Sequence, residues 1–430
     1  MLGVGLSALD TSIVNTALPA IAVDLKASPA NSVWFVNAYQ LAVVAAMLPL
    51  AALGDKWGPR RVFLLGLALF SSASLGCALA NSASQLTVGR LIQGVGAAGI
   101  MSVNLALISA IFPPLRLGEG VGLNALIVGM GMALGPSVAS LILAVTGWQW
   151  LFAINVPLGA LALYFGRQFI PRVAHSQAAI DLRAAALTAV TFAALIFAIG
   201  SAGQRTEGYL IAIAVFVFLV CGTLLLRRQA GHPAPMLPVD LLQRPMFMLS
   251  VLTSICAFSV QGLAFVSLPF FFEGVLHRNA VQTGFLITPW AIATALSAPF
   301  AGRLSDDYPS GLLGGMGLCI LCAGMLALAW LPADASEIEI VLRMVVCGIG
   351  FGFFQSPNLR AIMSSAPTHR RGGASGMIGL ARLLGQTSGV ALVALCLGLG
   401  GLEGARWALL LGASISAVGA TISLSRLTVR

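Results

Sequence analysis

The chain has 430 residues, of which 58% are hydrophobic and only 9% charged, with a mean hydropathy of +0.96. A water-soluble domain carries roughly 25% charged residues, so this composition excludes one and makes lipid the solvent. The net charge of +9 would suggest a nucleic-acid footprint only if the basic residues formed a patch, and they instead sort by membrane side.

A membrane-spanning helix needs about 20 apolar residues. By that measure fourteen segments qualify, over 2–25, 33–54, 61–80, 86–112, 119–144, 149–170, 181–202, 208–228, 247–272, 281–302, 311–331, 338–362, 374–399 and 405–426. The fold class expected is an all-α polytopic membrane protein. The intervening loops are too short to fold as soluble domains, and the longest, near 229–246, is a Pro-rich linker.

Lys and Arg concentrate in cytoplasmic loops. With both termini placed inside, the outer loops hold only Lys26, Arg205, Arg278 and Arg406 of the 23 basic residues, and three lie within spans, Arg90, Arg343 and Arg382. The remainder fall on the cytoplasmic side. The basic charge is therefore topological, no nucleic-acid partner is expected, and the expected location is the cytoplasmic (inner) membrane.

An internal repeat is visible. GDKWGPRR after the second span carries Asp55, and GRLSDDYPSG after the tenth carries Asp306. The first six spans thus resemble the last six, with 181–202 and 208–228 inserted between them. The expected division is a six-helix bundle over 1–175, two inserted helices over 176–230, and a linker with a second bundle over 231–430. Parallel repeats are a known transporter design with the site near the midplane at the repeat interface.

The first span sets the functional question. Asp10 lies in LGVGLSALDTSIVNTALPAIAVDL, among apolar and small residues. A carboxylate at membrane depth costs on the order of 2.5–3.5 kcal/mol on insertion scales and normally works in a bundle interior or a water-filled cavity. Of the fourteen acids it is the one clearly embedded. A buried carboxyl can take up a proton and release it when hydrated or paired with a cation, which suits a proton carrier. The competing reading is a structural Asp bonded to Thr11, Ser12 or Arg90. This helix has no Lys or Arg before Asp10 and no signal-peptide n-region, and the expectation is that the functional N-terminus is longer.

Arg90 keeps its charge at any relevant pH and must find an acceptor, Asp10 or a backbone carbonyl. It would either bias the proton affinity of Asp10 or serve as a structural hub. Arg343 and Arg382 carry the same two readings. The seven cysteines all lie in apolar runs and imply no disulfide framework. The four histidines fall in loops, which argues against a buried His relay.

Five strings in order then point to a family. LDTSIVNTALP, the loop Leu53 to Arg61, VGRLIQGVGAA (Val88 to Ala98), GMALGPSVAS (Gly131 to Ser140) and WQWLFAINVP (Trp148 to Pro157) resemble motifs of the fourteen-span drug:proton antiporters of the major facilitator superfamily. The resemblance covers nearly the whole chain. It departs from the family pattern at Ala51, where the loop usually has Gly. It departs again at Ala139 and Ser140, where the fifth-helix motif usually ends Gly-Gly, and at Gln149, commonly Arg. The second-half loop copy keeps Gly302, Leu304 and Asp306 without the Gly and Arg cluster that follows.

The resemblance implies two six-helix bundles plus two central helices, and export of a lipophilic, cationic small molecule in exchange for protons by alternating access. It implies no cofactor beyond the proton, and a monomer in the lipid bilayer is expected. It assigns the cluster Asp55, Gly58, Arg60 and Arg61 to a cytoplasmic gate, with Gly131, Gly135 and Pro136 shaping the fifth helix; Arg382 is a further gating candidate. For substrate contact the candidates are Asn15, Trp34, Asn37, Tyr39, Gln93, Gln261, Phe265, Gln355 and Asn358, each against the plain alternative of packing. Aromatic faces suit flat organic cations. Glu273, after three phenylalanines at the outer end of the ninth span, is a candidate for attracting cations or an ordinary loop acid. Two other functions stand beside export of cations: transport of a polar or anionic metabolite, and a non-transporting membrane sensor. No catalytic triad, metal cluster or phosphate loop is present to suggest an enzyme or an ATP-driven pump.

Overall fold

A computed structural model describes residues 1–113, 117–171, 182–202, 208–229, 239–332, 334–367 and 371–428. The chain divides into two compact units, Met1–Leu225 and Leu226–Arg430. The first contains α1 (Leu2–Asp24), α2 (Pro29–Trp57), α3 (Pro59–Ala78), α4 (Ala83–Ser102), α5 (Asn104–Ile111), α6 (Leu117–Val145), α7 (Gln149–Ala153), α8 (Asn155–Phe169), α9 (Leu182–Ala202) and most of α10 (Gly208–Gln229). The second contains α11 (Val239–Leu242), α12 (Pro245–Phe270), a π-helical turn (Phe271–Val275), α13 (Ala280–Leu304), α14 (Ser310–Ala329), α15 (Glu337–Ser365), α16 (Arg371–Gly400) and α17 (Glu403–Ser425).

A helix lies over each of the fourteen apolar segments, and eleven helical stretches among the described residues are long and apolar enough to cross a membrane. The single boundary falls inside α10, because α9 of the inserted pair packs along α2, where the rings of Trp34 and Phe197 lie 5.9 Å apart. Residues 230–238 of the linker and three of the four histidines, His175, His232 and His369, lie outside the described residues.

Local chemistry sets the helix ends. Ser28 accepts from the Asn31 amide ahead of Pro29 at the start of α2, the N-cap arrangement that satisfies an orphan donor. Asn279 and Gln282 form a reciprocal capping box on α13. Between α2 and α3 the chain turns on Gly58 at φ +90°, a conformation that a residue with a Cβ rarely adopts, and Pro59 starts the next helix.

The helices are apolar nearly all round, so small residues decide where they meet. A Cβ on Gly94 would lie 2.4 Å from the Tyr39 carbonyl oxygen, and one on Gly96 would lie 2.5 Å from the Phe70 nitrogen, which seats α4 against α2 and α3. In the second unit Gly348 stands in the same relation to the Trp290 carbonyl, at 2.3 Å, and Gly350 to the Leu321 nitrogen, at 2.5 Å. The repeat seen in the sequence is therefore a repeat of helix contacts. Its fourth-helix glycines, Gly94 and Gly348, are 254 residues apart, so Arg90 corresponds to buried Met344, one residue beyond Arg343. One residue is about 100° of helix phase. That turn takes Arg343 out of the core, where it pairs with Glu339 and donates to the Ala327 carbonyl with 22% of its side chain exposed.

Enlarging Gly94 should force α2 and α4 apart. Gly94→Leu is expected to cost about 1–3 kcal/mol, the usual range for overpacking, or more because the clash is with backbone. Thermal unfolding of the purified protein checks it, and an unchanged transition would show that this contact is looser than described.

Candidate functional site

The first unit closes around one buried polar cluster. Arg90 and Gln93 are one turn apart on α4, so both reach the same point on a neighbouring helix. That point is Asp10 of α1. Asp10, Arg90 and Gln93 are each 0% exposed.

The Asp10 carboxylate accepts three hydrogen bonds. Arg90 Nη1 donates to Oδ2 at 2.6 Å, Gln93 Nε2 to Oδ1 at 2.9 Å, and Asn155 Nδ2 to Oδ1 at 2.6 Å. All three neighbours present N–H donors, and an ionised carboxylate is acceptor-only, so the site as built matches the charged form. A proton on Asp10 would set an O–H against those donors and require some of them to turn or withdraw.

Arg90 is spread over several partners. Its Nε donates to the Phe35 carbonyl at 3.0 Å, its Nη1 also reaches Gln93 Oε1, and its Cζ lies 4.1 Å from the Tyr39 ring centroid and 5.7 Å from that of Phe152. A guanidinium over an aromatic face gains a cation–π contribution, larger when desolvated. Gln93 is used completely, since Nε2 also donates to Ser74 Oγ at 2.8 Å. Tyr39 shares a hydrogen bond of 2.8 Å between its hydroxyl and Ser7 Oγ. Two buried atoms of the cluster have no partner, Arg90 Nη2 and Asn155 Oδ1.

Helix packing delivers Asp10 to this cluster. Gly131 and Gly135 of α6 accommodate α1, for a Cβ on Gly131 would lie 2.9 Å from the Gly5 carbonyl and one on Gly135 would lie 2.3 Å from Ser12 Cβ. Ser12 Oγ donates to the Met132 carbonyl at 2.9 Å, and Pro136 is buried within α6 one residue beyond Gly135. The fifth-helix motif is thus the seat of the Asp10 helix.

Tyr39 and Gln93, read from the sequence as substrate contacts, belong to the Asp10 cluster. Asn358 belongs to a second buried polar cluster. Its Nδ2 donates to the Ser250 carbonyl and Ser254 Oγ, and its Oδ1 accepts from Arg426 at 2.6 Å. Phe265 is buried with its ring 5.6 Å from Trp290, and Gln261 accepts from Gln386 Nε2 at 2.9 Å. Gln355 and Trp34 are half-buried. Asn15 is buried with Oδ1 unpartnered, and Asn37 is fully buried with neither side-chain atom partnered. Glu273 stands on the π-helical turn with Oε1 buried and unpartnered.

Among the gating candidates, Gly58 makes the turn already described, Arg60 donates to the Arg167 carbonyl, and Arg61 is exposed. The side chain of Asp55 lies outside what is described. Arg382 is half-buried on α16. In the second-half copy of the loop, Asp306 pairs with Arg360 of α15.

Two features were not singled out from the sequence. Asn155 is uncharged and lies 145 residues from Asp10; the available signal was an amide inside the apolar string WQWLFAINVP. Arg426, assigned to the cytoplasmic end by charge sorting, is only 2% exposed. It donates to Ser250 Oγ at 3.0 Å and to Asn358, and pairs with Ser423 one turn earlier, which ties α12, α15 and α17 together.

Asn155→Leu removes a hydrogen bond to a charged group, worth about 1.5–3 kcal/mol. A lower unfolding temperature is expected, and an unaltered transition would contradict the bond.

Known proteins resemble this chain over most of its length. It is 48% identical over 430 residues to "Uncharacterized transporter YebQ" of Escherichia coli, covering all of this chain and 94% of that protein. It is 31% identical to "Riboflavin transporter RibZ" of Clostridioides difficile, over 86% of this chain and 81% of that one. It is 30% identical to "Multidrug resistance protein Stp" of Mycobacterium tuberculosis, over 91% and 73% respectively. A crystal structure of a POT family transporter shares the fold, with a TM-score of 0.73 at 14% identity over 99% of this chain and 93% of that one. Residues 1–390 match the Major Facilitator Superfamily, and the chain belongs to that family, as a multi-pass membrane transporter of small molecules and not an enzyme.

Proposed function

We propose that the chain is a proton-coupled secondary active exporter of lipophilic cations, a fourteen-span member of its superfamily working as a monomer by alternating access in the inner membrane, with both termini cytoplasmic. The observation that carries the reading is Asp10, a carboxylate with no exposure, held by Arg90, Gln93 and Asn155 on two other helices. An intramembrane acid with a named cation partner is a functional-site hypothesis by default. Protonation would remove the charge that Arg90 holds and release part of the contact between α1 and α4. A proton gradient would then act on the same helices that respond to substrate, which is the requirement for exchange. Similarity to a protein named for multidrug resistance supports the substrate class.

Transport of an uncharged polar solute is the second reading. Asn37 favours it, because a fully buried amide with neither atom partnered is costly unless a ligand or water completes it, and so does the similarity to RibZ. The two separate in proteoliposomes. A pH gradient imposed across the membrane should accelerate movement of tetraphenylphosphonium against the proton flow. A rate indifferent to the gradient would overturn the exchanger, and inhibition by riboflavin but not by organic cations would favour the second reading.

A further inference from the structure

The start of α3, which carries the gate candidates Arg60 and Arg61, and the end of α8 form a surface feature whose shape gating alone does not explain. Arg60 is committed there, since it donates to the Arg167 carbonyl near the C-terminal end of α8. The guanidinium groups of Arg61 and Arg167 are left exposed, and neither pairs with an acid among the described residues. Both line a single groove whose remaining walls are Trp57, Leu64, Leu65 and Ala68. A second groove adjoins it through Arg167 and is walled by Tyr164 and Gln168.

The chemistry of this feature has a direction. Two exposed guanidinium groups stand at one end, and an apolar trough runs away from them along α3, where Leu65 is 60% exposed. Trp57 and Tyr164, 45% and 64% exposed, flank the charged end, the arrangement aromatic residues take at a headgroup level. Gly166 forms the seam, for a Cβ there would meet Leu64 at 2.9 Å. The close approach keeps α3 and α8 from separating beneath the arginines. A positive-inside anchor accounts for the charges alone. It does not account for both arginines sharing a groove whose other walls are apolar and aromatic.

We propose that this groove binds one anionic phospholipid, its phosphate between Arg61 and Arg167 and an acyl chain along Leu64, Leu65 and Ala68. Charge complementarity selects the occupant: guanidinium forks match phosphate oxygens, and basic pockets on the cytoplasmic side are recognised sites for acidic headgroups. On the topology proposed above the groove faces the cytoplasmic leaflet. A zwitterionic lipid offers the same acyl chains without the net charge and should bind more weakly.

Native mass spectrometry of the purified full-length protein tests this, with phosphatidylglycerol and phosphatidylethanolamine of matched acyl chains. The wild type should retain one phosphatidylglycerol with about 30-fold preference, the factor that two arginines give at an anionic surface. The variant carrying Arg61→Gln and Arg167→Gln should lose that preference, whereas Arg303→Gln, which removes an exposed charge elsewhere, should keep it. Equal retention of both lipids by the wild type overturns the proposal, as does undiminished preference in the double variant. An equal loss in Arg303→Gln would show that binding follows net charge rather than the groove. Displacement by millimolar inorganic phosphate would mark a site for free anions and overturn the lipid assignment. If the double variant does not fold, Leu65→Glu carries the test: a carboxylate in the trough should lower phosphatidylglycerol retention, and unchanged retention counts against the groove.

Discussion

Arg90→Leu is expected to destabilise the first unit by about 3–5 kcal/mol, the cost of removing one partner from a buried ion pair. Asp10 would keep Gln93 and Asn155 as donors but lose its cation, 2.6 Å away and with no exposure on either side. The Phe35 carbonyl would lose its side-chain donor, and the Tyr39 ring its guanidinium. Adding Asp10→Asn to Arg90→Leu removes the uncompensated charge, so the double variant should be more stable than Arg90→Leu alone. This non-additivity is the signature of a shared interaction. Unfolding temperatures of the four proteins of the cycle measure it, and strictly additive effects would contradict the pair.

Asp10→Asn alone is expected to abolish proton-coupled transport while leaving substrate exchange across the membrane intact. The variant is the milder of the two structurally, because Arg90 retains the Phe35 carbonyl, Gln93 Oε1 and the Tyr39 face as acceptors. An amide cannot carry the proton, so coupling should fall to background. Counterflow of labelled substrate with no gradient checks that the carrier still moves. Loss of counterflow together with coupling would point to a folding role for Asp10 instead.

These expectations rest on residues whose legibility in the sequence differs for physical reasons. The helices over all fourteen apolar segments followed from length and hydropathy, since no other backbone arrangement within one segment satisfies its polar groups in lipid. The cost of an unpaired charge at depth left Asp10 or a backbone carbonyl as the acceptor of Arg90, and the structure uses both, Asp10 and the Phe35 carbonyl. Helix phase did not follow, because helices apolar all round give periodicity nothing to measure. Arg343 therefore read as embedded although it lies partly exposed against Glu339. Arg426 read as a cytoplasmic charge although it is buried among Ser250, Asn358 and Ser423. Asn155 was invisible for a different reason: it has no charge to demand a partner, and only the packing of α8 brings it to Asp10. Gln93 and Asn358 were legible as polar residues in apolar surroundings, but their partners decide their role, and those partners lie on helices distant in sequence.

Proton release on substrate binding tests the central claim most directly. Wild-type protein first protonated at Asp10, in weakly buffered detergent solution with a pH indicator, should acidify the medium when tetraphenylphosphonium is added, as binding returns Asp10 to the ionised, Arg90-paired form described above. Asp10→Asn should bind the same cation with no acidification. Equal acidification by both proteins would mean that the exchanged proton resides elsewhere.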